Sequence, residues 1–238
     1  MGKNIAILAF FPKSVQKIWW FVGFAVNLQK NLQGTKSKRM QKTRNLLVDT
    51  ARQLFAKNGF EATTMNEIAT ASGKGRRTLY TYFSSKEEIY LAVIQSELDR
   101  LSSRMEEVAR QDMPPEKKMV KLFFAHLEFV KEAVYRNGNL RAEFFRDVWK
   151  VESVRKNFDR NEMILFRRVM LEGNDKGVFD IRNPKLTAMI THYCLKGCEV
   201  PYIFGRIGVN SPEELYPYVF RMVNKAMGNE RYRHDFRY

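Results

Sequence analysis

Residues 63–91 constrain this chain more tightly than any other stretch, because they encode two short helices joined by a glycine turn and followed by a third, capped helix. Thr64 followed three residues on by Glu67 forms a capping box that starts a helix, and Ile68 with Ala69 supplies its apolar side. Gly73 then permits a backbone reversal that a side chain would resist. The second short helix, roughly Gly75 to Tyr82, carries Lys74, Arg76 and Arg77 at its entry, where side chains of a recognition helix meet base edges and phosphates. Ser85 with Glu88 repeats the capping logic and launches a longer helix. This arrangement is a helix-turn-helix.

The same residues resemble the DNA-binding end of the tetracycline-repressor (TetR) family of bacterial transcription regulators. The resemblance is carried by Phe55, Gly59 and Phe60, then Thr64, Ile68-Ala69, Ala71, Gly73, Thr78-Leu79-Tyr80, Tyr82-Phe83 and Ser85-Lys86-Glu87. It covers residues 43–95 closely and continues, as a helix pattern, to about residue 228. Where the family commonly has an apolar residue and then Ser or Thr after the turn glycine, this chain has Lys74 and Gly75, so its recognition helix lacks a side-chain cap. The resemblance implies an all-α protein with an N-terminal three-helix helix-turn-helix domain, residues 40–86, followed by a helical ligand-binding and dimerisation domain, residues 87–228. It implies a cytoplasmic homodimer that binds double-stranded DNA and answers to a small-molecule effector, without a cofactor and more as a repressor than an activator.

Side-chain chemistry divides the DNA roles. Arg77 and Thr78 suit base edges, Lys74 and Arg76 suit bases or phosphates, and Thr64, Tyr80, Tyr82 and Lys86 suit phosphates. Lys86 also sits at a helix N-terminus, where backbone N–H groups favour an anion.

Charge agrees with a polyanionic partner without specifying one. The chain of 238 residues has 41 Lys+Arg against 26 Asp+Glu, and clustered cations bind phosphate by counterion release whatever the fold. The excess is uneven: residues 1–39 hold seven basic residues and no acidic one, whereas residues 40–90 hold eight basic and five acidic. The basic, partly apolar segment 1–39 contains the runs Ile5–Phe11 and Ile18–Val26, each too short to cross a bilayer. An upstream translated leader before a start at Met40, a basic arm and a membrane-surface segment all fit it. Residues 229–238 read as a basic tail.

Beyond the helix-turn-helix the pattern stays helical, with no convincing strand. A first helix through Leu47, Ala51, Leu54 and Phe55 ends at Gly59. Pro114-Pro115 breaks the helix that starts after Ser85, and further helices are expected over 116–136, 140–148, 152–173, 185–206, interrupted near Pro201, and 212–227. Gly173 to Pro184 reads as the longest loop.

Large apolar side chains in this part fill a core or line a cavity, and spacing alone does not separate the two. With the resemblance added, Phe123, His126, Phe145, Trp149, Phe166 and Met170 become the candidate ligand pocket, although a partnered core histidine explains His126 as well. The last two helices offer Met189, Tyr193, Leu215, Val219 and Met222 for a dimer interface built as an intermolecular four-helix bundle. Arg141, Glu143 and Arg146 read as a solvated face. Cys194 and Cys198 read as reduced thiols, and with His192 they lack a fourth ligand and zinc spacing, so no metal is expected. No nucleotide loop, nucleophile elbow or catalytic carboxylate pair is present to support an enzyme. A DNA binder that organises the chromosome is the nearer alternative to a promoter regulator.

Overall fold

In the computed structural model, which describes residues 37–138, 148–207 and 211–229, all regular structure is helical. Helix α1 covers residues 37–58, α2 Met65–Ala71, α3 Arg76–Tyr82, α4 Lys86–Arg110, α5 Pro115–Arg136, α6 Val148–Asp175, α7 Pro184–Ile203 and α8 Pro212–Ala226. The chain falls into two units, one through Leu47 and one from Val48. The readings for residues 1–36, for Arg141, Glu143, Phe145 and Arg146, and for the tail 230–238 lie outside the described residues, as does the side chain of Trp149.

Local sequence sets the helix limits. The expected break at Pro114-Pro115 is present: α4 ends at Arg110, and Pro115 occupies the first turn of α5, where its missing N–H would have had no partner. Asn183 caps α7 by accepting from the Leu186 N–H at 3.1 Å, and Ser211 caps α8 through the Glu214 N–H. The expected interruption near Pro201 does not occur: α7 runs on to Ile203. The carbonyl deprived of its donor by the proline belongs to Gly197, an exposed residue. Helix α6 also outruns its expected end at Gly173. The Phe179 ring folds back so close that a β-carbon on Gly173 would sit 2.0 Å from it, and the Val178 and Phe179 N–H groups both donate to the Gly173 carbonyl.

The core is organised around α5, which packs against α4, α6, α7 and α8. Its buried positions run Lys118 to Val120, Leu122, Phe123, Ala125 to Leu127 and Phe129, too many for one apolar stripe, as befits a helix covered on several sides. Lys118 survives burial because its ammonium donates to Glu172 on α6 at 2.8 Å. On α7 the inward stripe Ala188, His192, Leu195, Glu199 and Tyr202 is buried, and three of its five members are ionisable.

Candidate nucleic-acid interface

The turn between α2 and α3 is fixed by backbone chemistry. The Thr64 hydroxyl accepts from the Glu67 N–H at 3.2 Å while the Glu67 carboxylate accepts from the Thr64 N–H at 2.7 Å and its hydroxyl at 2.9 Å. The backbone N–H of Thr64, then its hydroxyl, hold the Glu67 carboxyl below the usual range. After Ser72 the chain reverses at Gly73, φ +65°, and the Lys74 N–H closes back onto the Ala69 carbonyl at 3.0 Å. Gly75 is the N-cap of α3 and provides no side-chain acceptor. Its φ is −66° and a β-carbon there would meet nothing within 4 Å, so the fold does not require glycine at this position.

Two buried side chains orient α3. Leu79 and Phe83 are 0 and 1 % exposed, and Ile68 on α2 is 0 % exposed. Helical geometry then turns Arg76, Arg77, Tyr80 and Thr81 outward, and all four are exposed, with Thr78 half-buried beside them. The Arg76 guanidinium lies 5.6 Å from the centre of the Tyr80 ring, one turn on. Thr81 was not among the expected contacts, although it shares the face of Arg77 at four-residue spacing; its hydroxyl donates to the Arg77 carbonyl at 2.9 Å. Thr64 is exposed, and Lys74 and Tyr82 are half-buried.

The Lys86 ammonium, expected at a phosphate, has protein partners in the free chain. It donates to the carbonyls of Phe60 at 2.7 Å and Glu61 at 3.2 Å and lies 4.4 Å from the Phe60 ring centre. The first residue of α4 thereby ties the loop between α1 and α2 to the long helix. Phe55, Phe60 and Tyr90 reinforce the tie, with ring centroids 5.2 to 6.4 Å apart. At the second cap, Ser85 accepts from the Glu88 N–H, but the Glu88 carboxylate reaches Ser84, its N–H at 2.6 Å, rather than Ser85.

In the helical remainder, the candidate pocket residues are interior. Phe123, Phe166 and Met170 are 8, 1 and 0 % exposed. His126 is a partnered core histidine: its Nδ1 lies 2.6 Å from Glu162 and its Nε2 2.9 Å from Glu199. Glu162 also meets His192 Nδ1 at 2.5 Å, and Glu199 accepts from Arg155 at 2.6 and 3.2 Å. A continuous ionic chain thus joins α5, α6 and α7. Burial alone would push the His126 imidazole down, but the Glu162 carboxylate, assisted by Glu199, lifts it to about 9. Burial would likewise raise Glu199, yet the His126 hydrogen bond and the Arg155 charge hold it at about 2. The sequence offered no periodic signal for this network, because ionisable residues on an inward stripe look like any other interruption of apolar spacing. Among the described residues no His, Cys, Asp and Glu group could hold a metal ion.

The candidate dimer residues separate into two sets. Met189, Tyr193 and Met222 are 40, 60 and 57 % exposed, whereas Leu215 and Val219 are buried within the single chain. The latter two belong to the core against α5, a correction to the expected interface. Ile190 and Tyr218 join the exposed set. On α7, Leu186, Ile190, Tyr193, Gly197 and Val200 form an outward stripe opposite the buried one, a pattern suited to a partner helix. Among the described residues no helix is long and apolar enough to cross a membrane.

Comparison with known proteins bears on the same elements. Residues 47–93 match the model of bacterial regulatory proteins of the tetR family. The chain is 25 % identical over 156 residues to the HTH-type transcriptional regulator QacR of Staphylococcus aureus, covering 63 % of this chain and 81 % of that one. It is 33 % identical over 88 residues to the HTH-type transcriptional repressor KstR2 of Mycolicibacterium smegmatis, covering 37 % of this chain and 43 % of that one. The fold is similar to that of the regulator FadR from Bacillus subtilis, solved in complex with stearoyl-CoA, with a TM-score of 0.57 at 14 % identity, covering 76 % and 97 % of the two chains.

Proposed function

This chain is a member of the tetR family of bacterial regulatory proteins, and on that premise we propose that it is a cytoplasmic, ligand-responsive repressor that binds a palindromic operator as a homodimer. It is a DNA-binding transcription regulator. The observation that carries the reading is the outward face of α3, where Arg76, Arg77 and Tyr80 are exposed on a helix held from behind by Leu79 and Phe83. Arg77 and Thr78 read base edges. Thr64, Lys74, Arg76, Tyr80 and Tyr82 supply further base and phosphate contacts. Residues 40–86 form the DNA-binding head and residues 87–228 the effector and dimerisation domain.

Dimerisation is supported by the exposed apolar side chains Met189, Ile190 and Tyr193 on α7 and Tyr218 and Met222 on α8. Two heads so joined must reach major grooves about 34–36 Å apart, and an effector that favours another spacing weakens binding. KstR2's description as a repressor and the acyl-CoA complex of FadR support repression and a small effector. A genome-wide binding map paired with transcript levels after deletion tests the reading. Rising transcripts beside a few strong palindromic sites support it; many scattered sites with unchanged transcripts contradict it.

A further inference from the structure

The side chains of α3 differ in how squarely they face away from the protein. Successive residues of an α-helix are turned by about 100°. Leu79 and Phe83, both buried, therefore lie about 40° apart and define the inward direction. Thr81 stands opposite their midpoint. Arg77 lies about 40° from Thr81, whereas Tyr80 and Arg76 lie about 100° and 140° from it. Those last two pair with each other on one flank, guanidinium over ring. Thr81 and Arg77, both exposed, are left at the centre of the outward face.

Length brings that whole centre to the base pairs. With seven residues, α3 is about 10 Å long, within the roughly 12 Å width of the major groove. A helix this short lies inside the groove from end to end, so Thr81 in its last turn meets base edges as Arg77 does.

The chemistry of Thr81 is narrowed by one hydrogen bond. Its hydroxyl donates to the Arg77 carbonyl at 2.9 Å, which commits the only donor of the side chain and fixes its torsion against the helix backbone. A committed hydroxyl has no proton for the acceptors that guanine, adenine and thymine present in the groove. The γ-methyl group remains, and the base edge that matches a methyl is the C5-methyl of thymine.

We propose that Thr81 is a specificity-determining residue that reads the C5-methyl group of one thymine in each half-site. The proposal rests on the reading of α3 as the recognition helix and adds an uncharged contact to it. An apolar contact releases no counterions, so its discrimination is independent of salt.

The test uses the full chain and a duplex that it selects from a randomised library. Each thymine of that duplex is replaced in turn by deoxyuridine, which removes the methyl group and keeps the base pair and the O4 acceptor. With the unaltered protein, one position per half-site should bind about fourfold more weakly as uracil, the worth of one buried methyl group, at low and high salt alike. Thr81→Ser keeps the hydroxyl and loses the methyl, and should bind the thymine and uracil duplexes equally. Thr81→Val keeps the methyl and loses the hydroxyl, and should retain the thymine preference. Uracil insensitivity at every position with the unaltered protein, a measurement that depends on no variant, would overturn the proposal. A thymine preference that survives Thr81→Ser or vanishes in Thr81→Val would overturn it as well. Failure of the full chain to select any sequence would instead refute the recognition-helix reading, and the proposal with it.

Discussion

The Lys86 ammonium donates to the Phe60 carbonyl at 2.7 Å, across the ring of the same residue. A cation at the start of a long helix thereby holds the loop that precedes the recognition pair. Lys86→Met keeps the apolar stem over Phe60 and removes the donor. It should raise amide exchange at residues 60–63 and weaken operator binding while leaving the salt slope unchanged. A phosphate contact would instead lower that slope by about 0.9, so titrations at several salt concentrations separate the two roles.

Tyr80 supports Arg76 through the face of its ring. Tyr80→Phe should retain the operator preference of the natural chain, because the ring face is kept. Tyr80→Leu should relax preference at the base step that Arg76 approaches, with circular dichroism unchanged. Selection from a randomised duplex library measures both; identical profiles for the two variants would remove the positioning role of the ring.

The ionic chain around His126 gives stability a predictable pH dependence. The His126 pKa is raised from 6.5 to about 9 on folding, so its contribution is fully present below pH 6.5 and is lost as pH rises through 9. That of Glu199 is lowered from 4.5 to about 2, so its contribution is present above pH 4.5 and is lost as pH falls through 2. Thermal melts should therefore decline from pH 6.5 to 9.5, and His126→Gln should flatten that limb. Glu162→Ala, which removes the Nδ1 partner of both His126 and His192, should cost about 3–5 kcal/mol at neutral pH in denaturant titrations.

Tyr218 and Val219 are neighbours on α8, 72 and 5 % exposed respectively. Tyr218→Glu should give a folded monomer in sedimentation, with most operator affinity lost because each half-site is then bound alone. Val219→Glu should instead unfold, since it buries a charge against α5. A Tyr218→Glu protein that stays dimeric would place the interface on another face.

Much of the head was legible because its signals are local. Thr64 with Glu67, the turn at Gly73 and the short helix that follows lie within one or two turns of each other, and the structure reproduces them. The tie made by Lys86 was not legible because its acceptors are main-chain carbonyls 25 and 26 residues away, which no side-chain pattern encodes. Leu215 and Val219 were grouped with Met222 on apolar character, yet only packing against α5 tells core from exposed face. Glu162, Glu199 and Arg155 are ordinary helical charges until three helices bring them to His126. Pro201 illustrates the limit of breaker rules, since the helix runs through it to Ile203.

The central claim is that the outward face of α3 reads DNA, and Arg77 tests it most directly. Anisotropy titrations of Arg77→Ala should be run against the operator and a scrambled duplex at one salt concentration. The account predicts a loss of about 1–3 kcal/mol on the operator, with little change on the scrambled duplex and relaxed preference at one position per half-site. Equal losses on both duplexes, or none on either, would contradict it.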